Sequence, residues 1–232
     1  MRLKPIEQLE RRLLLADVPD GFVDAQVASN LFSPTAMAVA PDGRIFFTTQ
    51  NGQVRVVKNG QLLPTPFAAV SANSEGERGL LGITFDPDFS SNRYVYVYYT
   101  ATSPNLHNRV SRFTASGDVA SGGETVILDL PGIGDAIYHM GGAIHFGPDG
   151  KLYVAVGENA NGSYAQSMSN MLGKVLRLNP DGSIPADNPF YNSASGDNRS
   201  IWALGLRNPF TFAFQNGTGR MFINDVGQNT WE

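Results

Sequence analysis

The chain has 232 residues, 42% of them hydrophobic and 16% charged, so it can bury a sizeable core. A net charge of −4 with scattered basic residues gives no electrostatic basis for nucleic-acid binding. Because cysteine is absent, disulfides, thiolate nucleophiles, zinc–cysteine sites and covalently attached haem are excluded. No apolar run approaches the ~18 residues that suggest a membrane-spanning helix.

Residues 1–20 differ from the rest of the chain. Their apolar run, Leu13–Ala16, is too short for a signal-peptide core, and the simplest interpretation is a short amphipathic helix. Residues 9–14 also resemble a Leu-Glu-x-Arg-x-Leu-Leu signature found near the start of many exported bacterial surface proteins. We therefore predict a targeting or linker segment at 1–20 and an extracellular or periplasmic location.

From residue 21 to residue 232 a unit of strand, turn, strand and further strand recurs. Its turns begin at Pro41, Pro87, Pro148 and Asn216. In Tyr94–Thr100 valines alternate with tyrosines, as expected of a β-strand. No helical periodicity of useful length follows residue 20. The pattern predicts an all-β fold, with a β-propeller favoured and a β-sandwich as the alternative.

The number of repeated units is itself informative. We count about three and a half units, and the chain stops inside the fourth. A closed propeller typically has about four to eight blades. We therefore expect a truncated chain, with the missing blades supplied by the rest of the protein or by another chain, and we expect this piece alone to be inactive.

The stretch Tyr138–Asn159 predicts an antiparallel hairpin whose outer ends meet, which places His139 beside Glu158. A carboxylate fixes the tautomer of a histidine and stabilises its imidazolium form, so the pair suits a general base. For a lone histidine, an ordinary surface position is the simpler interpretation. His107, in a predicted polar loop, and His145, in a predicted strand, carry no motif.

Five segments, in this order, resemble the glucose/sorbosone dehydrogenase family. The family comprises soluble quinoprotein sugar dehydrogenases, six-bladed propellers that use pyrroloquinoline quinone (PQQ) with calcium. The resemblance extends from about residue 22 to the last residue. The segments are 75–89 (EGERGLLGITFDPDF), 139–159 (HMGGAIHFGPDGKLYVAVGEN), 171–190 (MLGKVLRLNPDGSIPADNPF), 201–214 (IWALGLRNPFTFAF) and 224–232 (NDVGQNTWE).

The resemblance implies a role for each matching residue. His139 corresponds to the general base that takes the proton of the sugar C1 hydroxyl while hydride passes to the quinone, and Glu158 to its acidic partner. Arg207 and Asn208 match residues that hold carbonyl and carboxylate oxygens of the quinone. Glu77 stands where well-studied members have a glutamine near the cofactor and the sugar.

The remaining matches concern calcium and substrate. Gly227 and Gln228 match a pair whose backbone carbonyls bind the calcium of the cofactor site. Tyr138 replaces an Asp or Asn that contacts the substrate, Ala143 replaces a common arginine, and Phe210 replaces a frequent glutamine. These departures resemble the sorbosone-dehydrogenase-like and hedgehog-interacting-protein-like branches, so they leave the sugar and its electron acceptor open.

Several alternatives remain at this point. Arg207 could pair with a carboxylate between blades, Glu158 and Asp225 could be solvated strand ends, and Gly227 could be a turn glycine. The function could be that of a quinoprotein sugar dehydrogenase or of a non-catalytic binding module in a larger exported surface protein. A calcium-dependent propeller hydrolase such as a lactonase fits the motifs less well.

Overall fold

Four antiparallel sheets follow one another along the chain in the computed structural model. It describes residues 19–23, 25–29 and 31–228, so nearly all of the predicted targeting segment, 1–20, lies outside the described residues. Within these ranges every helix is too short to cross a membrane. The sheets correspond to the repeated unit predicted from the sequence.

The first sheet has its strands in the order β1-β2-β3-β4, with a short fifth strand paired to β3. Turn residues separate the strands, as the glycines after Asp42 and Asn59 suggest. The short strands β4 and β5 were not predicted, because two-residue strands have no recognisable alternation. The strands are β1 (Pro34–Val39), β2 (Ile45–Thr49), β3 (Gln53–Lys58), β4 (Gln61–Leu62) and β5 (Ala68–Ala69).

The second sheet corrects one prediction. His107 is the first residue of a strand and is 2% exposed, so its placement in a polar loop was wrong. Its ring is paired on both sides: Nδ1 lies 2.7 Å from the Asn105 carbonyl oxygen and Nε2 lies 3.0 Å from Asp129 Oδ1. The elements are β6 (Leu80–Phe85), α1 (Phe89–Asn92), β7 (Tyr94–Ala101), β8 (His107–Ser116) and β9 (Val119–Gly132).

The third sheet has four strands and the fourth sheet has two. The last strand of the third sheet was not predicted as a strand, because it follows a long irregular segment and its exposed and buried positions do not alternate. The strands are β10 (Ile144–Phe146), β11 (Leu152–Val156), β12 (Lys174–Leu178), β13 (Ile201–Leu204), β14 (Pro209–Phe214) and β15 (Met221–Asp225). Three complete sheets and half of a fourth confirm the predicted partial propeller.

The core lies between consecutive sheets as three hydrophobic clusters. The first strands β1, β6 and β10 lie side by side, as the inner strands of neighbouring blades do. An edge-to-face aromatic pair crosses each interface, which adds directional packing to apolar burial. The pairs are Phe46–Phe85, Tyr96–Phe146 and Tyr153–Phe214, with ring centroids 5.0, 5.2 and 4.9 Å apart.

Glycine is required where the second and third sheets approach most closely. A Cβ at Gly82 would clash with the carbonyl oxygen of Gly142 and would lie 3.3 Å from Ile144 Cγ1. The backbone oxygen cannot move aside without shifting the segment that follows His139. The close contact of these sheets therefore depends on the absence of a side chain at position 82.

We expect Gly82→Ala to lower the free energy of unfolding by about 1–3 kcal/mol, because it overpacks the interface between the two sheets. Gly123→Ala is the matched control, since a Cβ there meets no atom within 4 Å. It should change stability by less than about 0.5 kcal/mol. Urea unfolding of both variants measures the difference, and equal effects would contradict the packing argument.

Candidate active site

The hairpin formed by β10 and β11 brings the predicted base and its partner together. The strands pair antiparallel with Ile144 opposite Val154, so the residues before β10 meet those after β11. His139 Nδ1 lies 2.5 Å from Glu158 Oε1. Glu158 is only 3% exposed, which rules out a solvated strand end. The predicted adjacency is confirmed.

This contact determines how His139 can act. A carboxylate at Nδ1 favours the tautomer that carries its proton there, which leaves the lone pair on Nε2. The His139 side chain retains 14% of its exposure, so solvent or a ligand can reach it. A buried carboxylate behind a reachable imidazole suits proton abstraction.

A second carboxylate holds the backbone of His139. The residue has φ +60°, a left-handed conformation that is uncommon for residues other than glycine. Its N–H donates to Glu77 Oε2 at 2.7 Å, and its carbonyl oxygen accepts from the Asn159 N–H at 3.3 Å. The N–H of Glu77 donates in turn to the Ile137 carbonyl oxygen at 2.8 Å. The loop before β6 therefore fixes the segment that carries the histidine.

The turn between β13 and β14 carries Arg207 and Asn208, and Asp225 holds it. The Arg207 and Asn208 N–H groups donate to the two carboxylate oxygens of Asp225 at 2.9 and 2.7 Å. Asp225 is the last residue of β15, and its partners rule out a merely solvated strand end. Sequence reasoning missed this role, because a strand-terminal aspartate gives no sign of which amides it binds.

The Asn208 side chain connects this turn to the other loops of the site. It is 4% exposed, its Oδ1 accepts from the Gly141 N–H at 3.0 Å, and its Nδ2 lies 3.4 Å from Glu77 Oε2. The Glu158 N–H also donates to the Arg207 carbonyl oxygen at 2.9 Å. Segments of three consecutive sheets are thus joined around the histidine.

The Arg207 guanidinium is half-buried, and its Nη1 donates to the Val226 carbonyl oxygen at 3.0 Å. Among residues 31–228, none of the ion pairs within 4.0 Å includes Arg207. The alternative of a carboxylate partner between blades is therefore not observed in this range.

One cavity of about 290 Å³ collects four of the predicted residues: His139, Glu158, Arg207 and Gln228. Its remaining wall comes from the loop after Glu158 and from the segment that precedes Arg207. A histidine–carboxylate pair and an arginine share this small space. The arrangement can accept a proton and bind an anion at the same time.

The other predicted residues lie outside this cavity. Glu77 lines a neighbouring cavity of about 490 Å³ together with Met140 and Phe210. Tyr138 is 53% exposed, and Gly227 is partly buried beside Gln228.

The neighbouring cavity contains His145, whose pKa is lowered by partial burial on β10. Its ring packs edge-on against Phe212 at 4.9 Å. Among the described residues, no cluster of three or more His, Asp or Glu side chains could hold a metal ion. Calcium ligands in this part of the chain would have to include other oxygen donors, such as backbone carbonyls.

Comparison with known proteins gives a consistent result. The sequence profile described as "Glucose / Sorbosone dehydrogenase" matches residues 31–232. Quinoprotein glucose dehydrogenase B of Acinetobacter calcoaceticus is 30% identical over 241 residues, which cover 91% of this chain and 49% of that protein. Hedgehog-interacting protein of Homo sapiens is 30% identical over 219 residues, covering 81% of this chain and 31% of that protein.

A solved structure agrees with these matches. The PQQ-bound form of aldose sugar dehydrogenase from Streptomyces coelicolor superposes with a TM-score of 0.76 at 31% identity. The superposition covers 89% of this chain and 60% of that one. The chain spans about half the length of three of the curated relatives that it matches.

We expect Glu77→Ala to speed hydrogen exchange of the His139 amide about tenfold or more, because the amide loses a charged acceptor. Glu77→Gln keeps an oxygen at the same position and should preserve most of the protection. Exchange at the His139 amide, followed by NMR, measures the effect. Identical rates in the unmodified protein and both variants would show that Glu77 does not hold this segment.

Proposed function

The chain belongs to the glucose/sorbosone dehydrogenase family, and on that premise we propose that the intact protein oxidises an aldose or related sugar at C1, using PQQ and calcium. The observation that carries the proposal is the shared cavity of His139, Glu158 and Arg207. We also propose an exported, extracellular or periplasmic protein in which the rest of the chain supplies the remaining blades.

His139 is the general base of this proposal. Glu158 occupies Nδ1, so Nε2 takes the proton of the sugar C1 hydroxyl. Bound PQQ supplies the acceptor for the hydride that leaves C1. The imidazolium formed at His139 is stabilised by the buried Glu158 carboxylate. General-base catalysis of this kind contributes roughly 10²–10⁴-fold in rate.

The residues of the cavity fit an anionic quinone. Arg207 has no carboxylate partner within the described ranges, so its guanidinium can bind carboxylate or carbonyl oxygens of the cofactor. A fixed cation there would also favour the reduced, more anionic quinone. The Asn208 amide already pairs with Gly141 and Glu77, so we infer that it acts mainly by holding the loops around the cofactor.

Calcium would bind at the backbone carbonyls of Gly227 and Gln228, since calcium prefers oxygen ligands and accepts irregular geometry. Support for this position is the placement of Gln228 in the same cavity as His139 and Arg207. Tyr138 is exposed beside the base, where an aromatic face could pack against a sugar ring.

A binding module without catalysis is the second candidate. The observation that favours it is the similarity to Hedgehog-interacting protein, whose name describes an interaction. Tyr138 in place of an acidic or amide residue agrees with a changed central site. In this case the cavity would bind a ligand or a group of a partner, and His139 would have no catalytic role.

We expect His139→Ala in the intact, PQQ- and calcium-loaded protein to lower kcat for dye reduction by roughly 10²–10⁴-fold, because the proton acceptor is lost. His145→Ala is the matched control, since His145 lies outside the cavity of the base. Dye reduction over a panel of aldoses measures both. No reduction by the unmodified protein with any sugar would favour the binding module.

We expect Arg207→Ala to weaken PQQ binding about tenfold or more, because a charge-assisted contact is removed. Arg220→Ala, which removes an exposed arginine just before β15, should leave the affinity unchanged. Quinone absorbance during titration gives both dissociation constants without requiring turnover. Equal affinities in the two variants would remove Arg207 from the cofactor site.

A further inference from the structure

Lys174 is a buried lysine that the proposed chemistry does not use. It opens β12 and is 0% exposed. Its Nζ donates to the carbonyl oxygens of Tyr164, Ala165 and Leu172 at 2.8, 2.9 and 2.6 Å. A protonated lysine amine has three N–H donors, and here each of them has an acceptor.

The charge of Lys174 has no counter-ion in the described part of the chain. None of the ion pairs within 4.0 Å among the described residues includes it, and Tyr164 accepts its hydrogen bond through a backbone carbonyl. Burial lowers the pKa of Lys174 to about 8. An uncompensated buried cation is unfavourable for folding. An apolar side chain of similar length would avoid that cost, so the three hydrogen bonds require an explanation.

All three acceptors belong to one loop, residues 158–173, which begins with Glu158. Four residues of this loop, Glu158, Ala160, Gly162 and Ala165, line the cavity of the proposed site. The Ala165 carbonyl oxygen also accepts the Gly205 N–H at 2.8 Å, and Gly205 lies just before Arg207. The carbonyl that binds Lys174 therefore also joins the loop to the arginine segment.

We propose that Lys174 is a positioning residue whose amine gathers the carbonyls of the 158–173 loop and thereby fixes the cavity wall that begins at Glu158 and meets the Arg207 segment. This inference rests on the proposed function only for the role of the cavity in catalysis. The placement of the loop by Lys174 does not depend on that role. An amine suits this task because one small atom offers several donors at the end of a long apolar stem.

Hydrogen exchange in the intact protein tests the placement of the loop. Lys174→Met keeps the length of the stem and removes the donors, so we expect the Gly205 and Gly173 amides to exchange at least about tenfold faster. Lys151→Met is the matched control: Lys151 lies just before β11 of the same sheet and donates from Nζ to Asn179 Oδ1. Core amides such as Val154 should keep their protection in both variants.

Two results would overturn the proposal: unchanged exchange at Gly205 and Gly173, or an equal loss of protection at the loop and at Val154. If Lys174→Met does not fold, Lys174→Gln carries the same test, because its amide retains N–H donors. It should give an intermediate acceleration at the loop amides. In Lys174→Gln, an acceleration at Val154 equal to that at the loop amides would also overturn the proposal.

The pH dependence of stability gives an independent readout. The pKa of Lys174 in the folded protein, about 8, lies below its ordinary value of 10.5, so between these values the unfolded chain binds more protons. Stability from this residue therefore rises with pH across that window. The stability of the unmodified protein relative to Lys174→Met should increase from pH 8 to pH 10. A constant difference would contradict an uncompensated buried amine.

Kinetics separate this inference from the proposed function. With PQQ and calcium bound, Lys174→Met should lower kcat about tenfold or more while KM for the sugar changes little. The reason is that the loop carries Glu158 but not Tyr138. A change in KM alone would overturn the positioning role. If the unmodified protein shows no turnover, the proposed function fails, and hydrogen exchange still decides the role of Lys174.

Discussion

The buried amide of Asn208 is the contact on which the arrangement of the site depends. Its Oδ1 accepts from the Gly141 N–H in the loop before the third sheet, and its Nδ2 approaches the Glu77 carboxylate in the loop before the second. Its own N–H is bound by Asp225 of the fourth sheet. In a low-dielectric interior such bonds are strong, and each is costly to leave unmade. The histidine, its carboxylate and the arginine therefore keep one relative geometry although they lie on different loops.

The parts of the fold that follow local rules could be predicted from the sequence. Alternation identified β7, and Pro-Asp-Gly turns identified the hairpins of the first and third sheets. The contact between His139 and Glu158 was also predictable, since antiparallel pairing fixes which ends of a hairpin meet. The resemblance to the family then gave a chemical meaning to that pair.

Side-chain contacts between residues that are distant in the sequence could not be predicted in this way. Asp225 binds the amides of the two residues just before β14, and His107 binds Asp129 on the adjacent strand, so neither partner is evident from its neighbours in the sequence. In the sequence, Lys174 resembles an ordinary strand residue that follows a glycine. Its carbonyl partners come close to the amine only when the loop is folded. Such residues depend on how separate elements stack, which neither periodicity nor turn chemistry specifies.

The exposure of Tyr138 has a consequence for how this family diversifies. Its side chain stands in solvent, while the next residue is fixed through its backbone N–H and its imidazole. On the proposed function, a substitution at 138 would change the surface that meets the substrate, with little effect on stability or on the proposed base beside it. Single substitutions at this position could therefore change specificity. The hydrogen bonds that hold His139 do not involve the side chain of residue 138, so such substitutions would leave them intact.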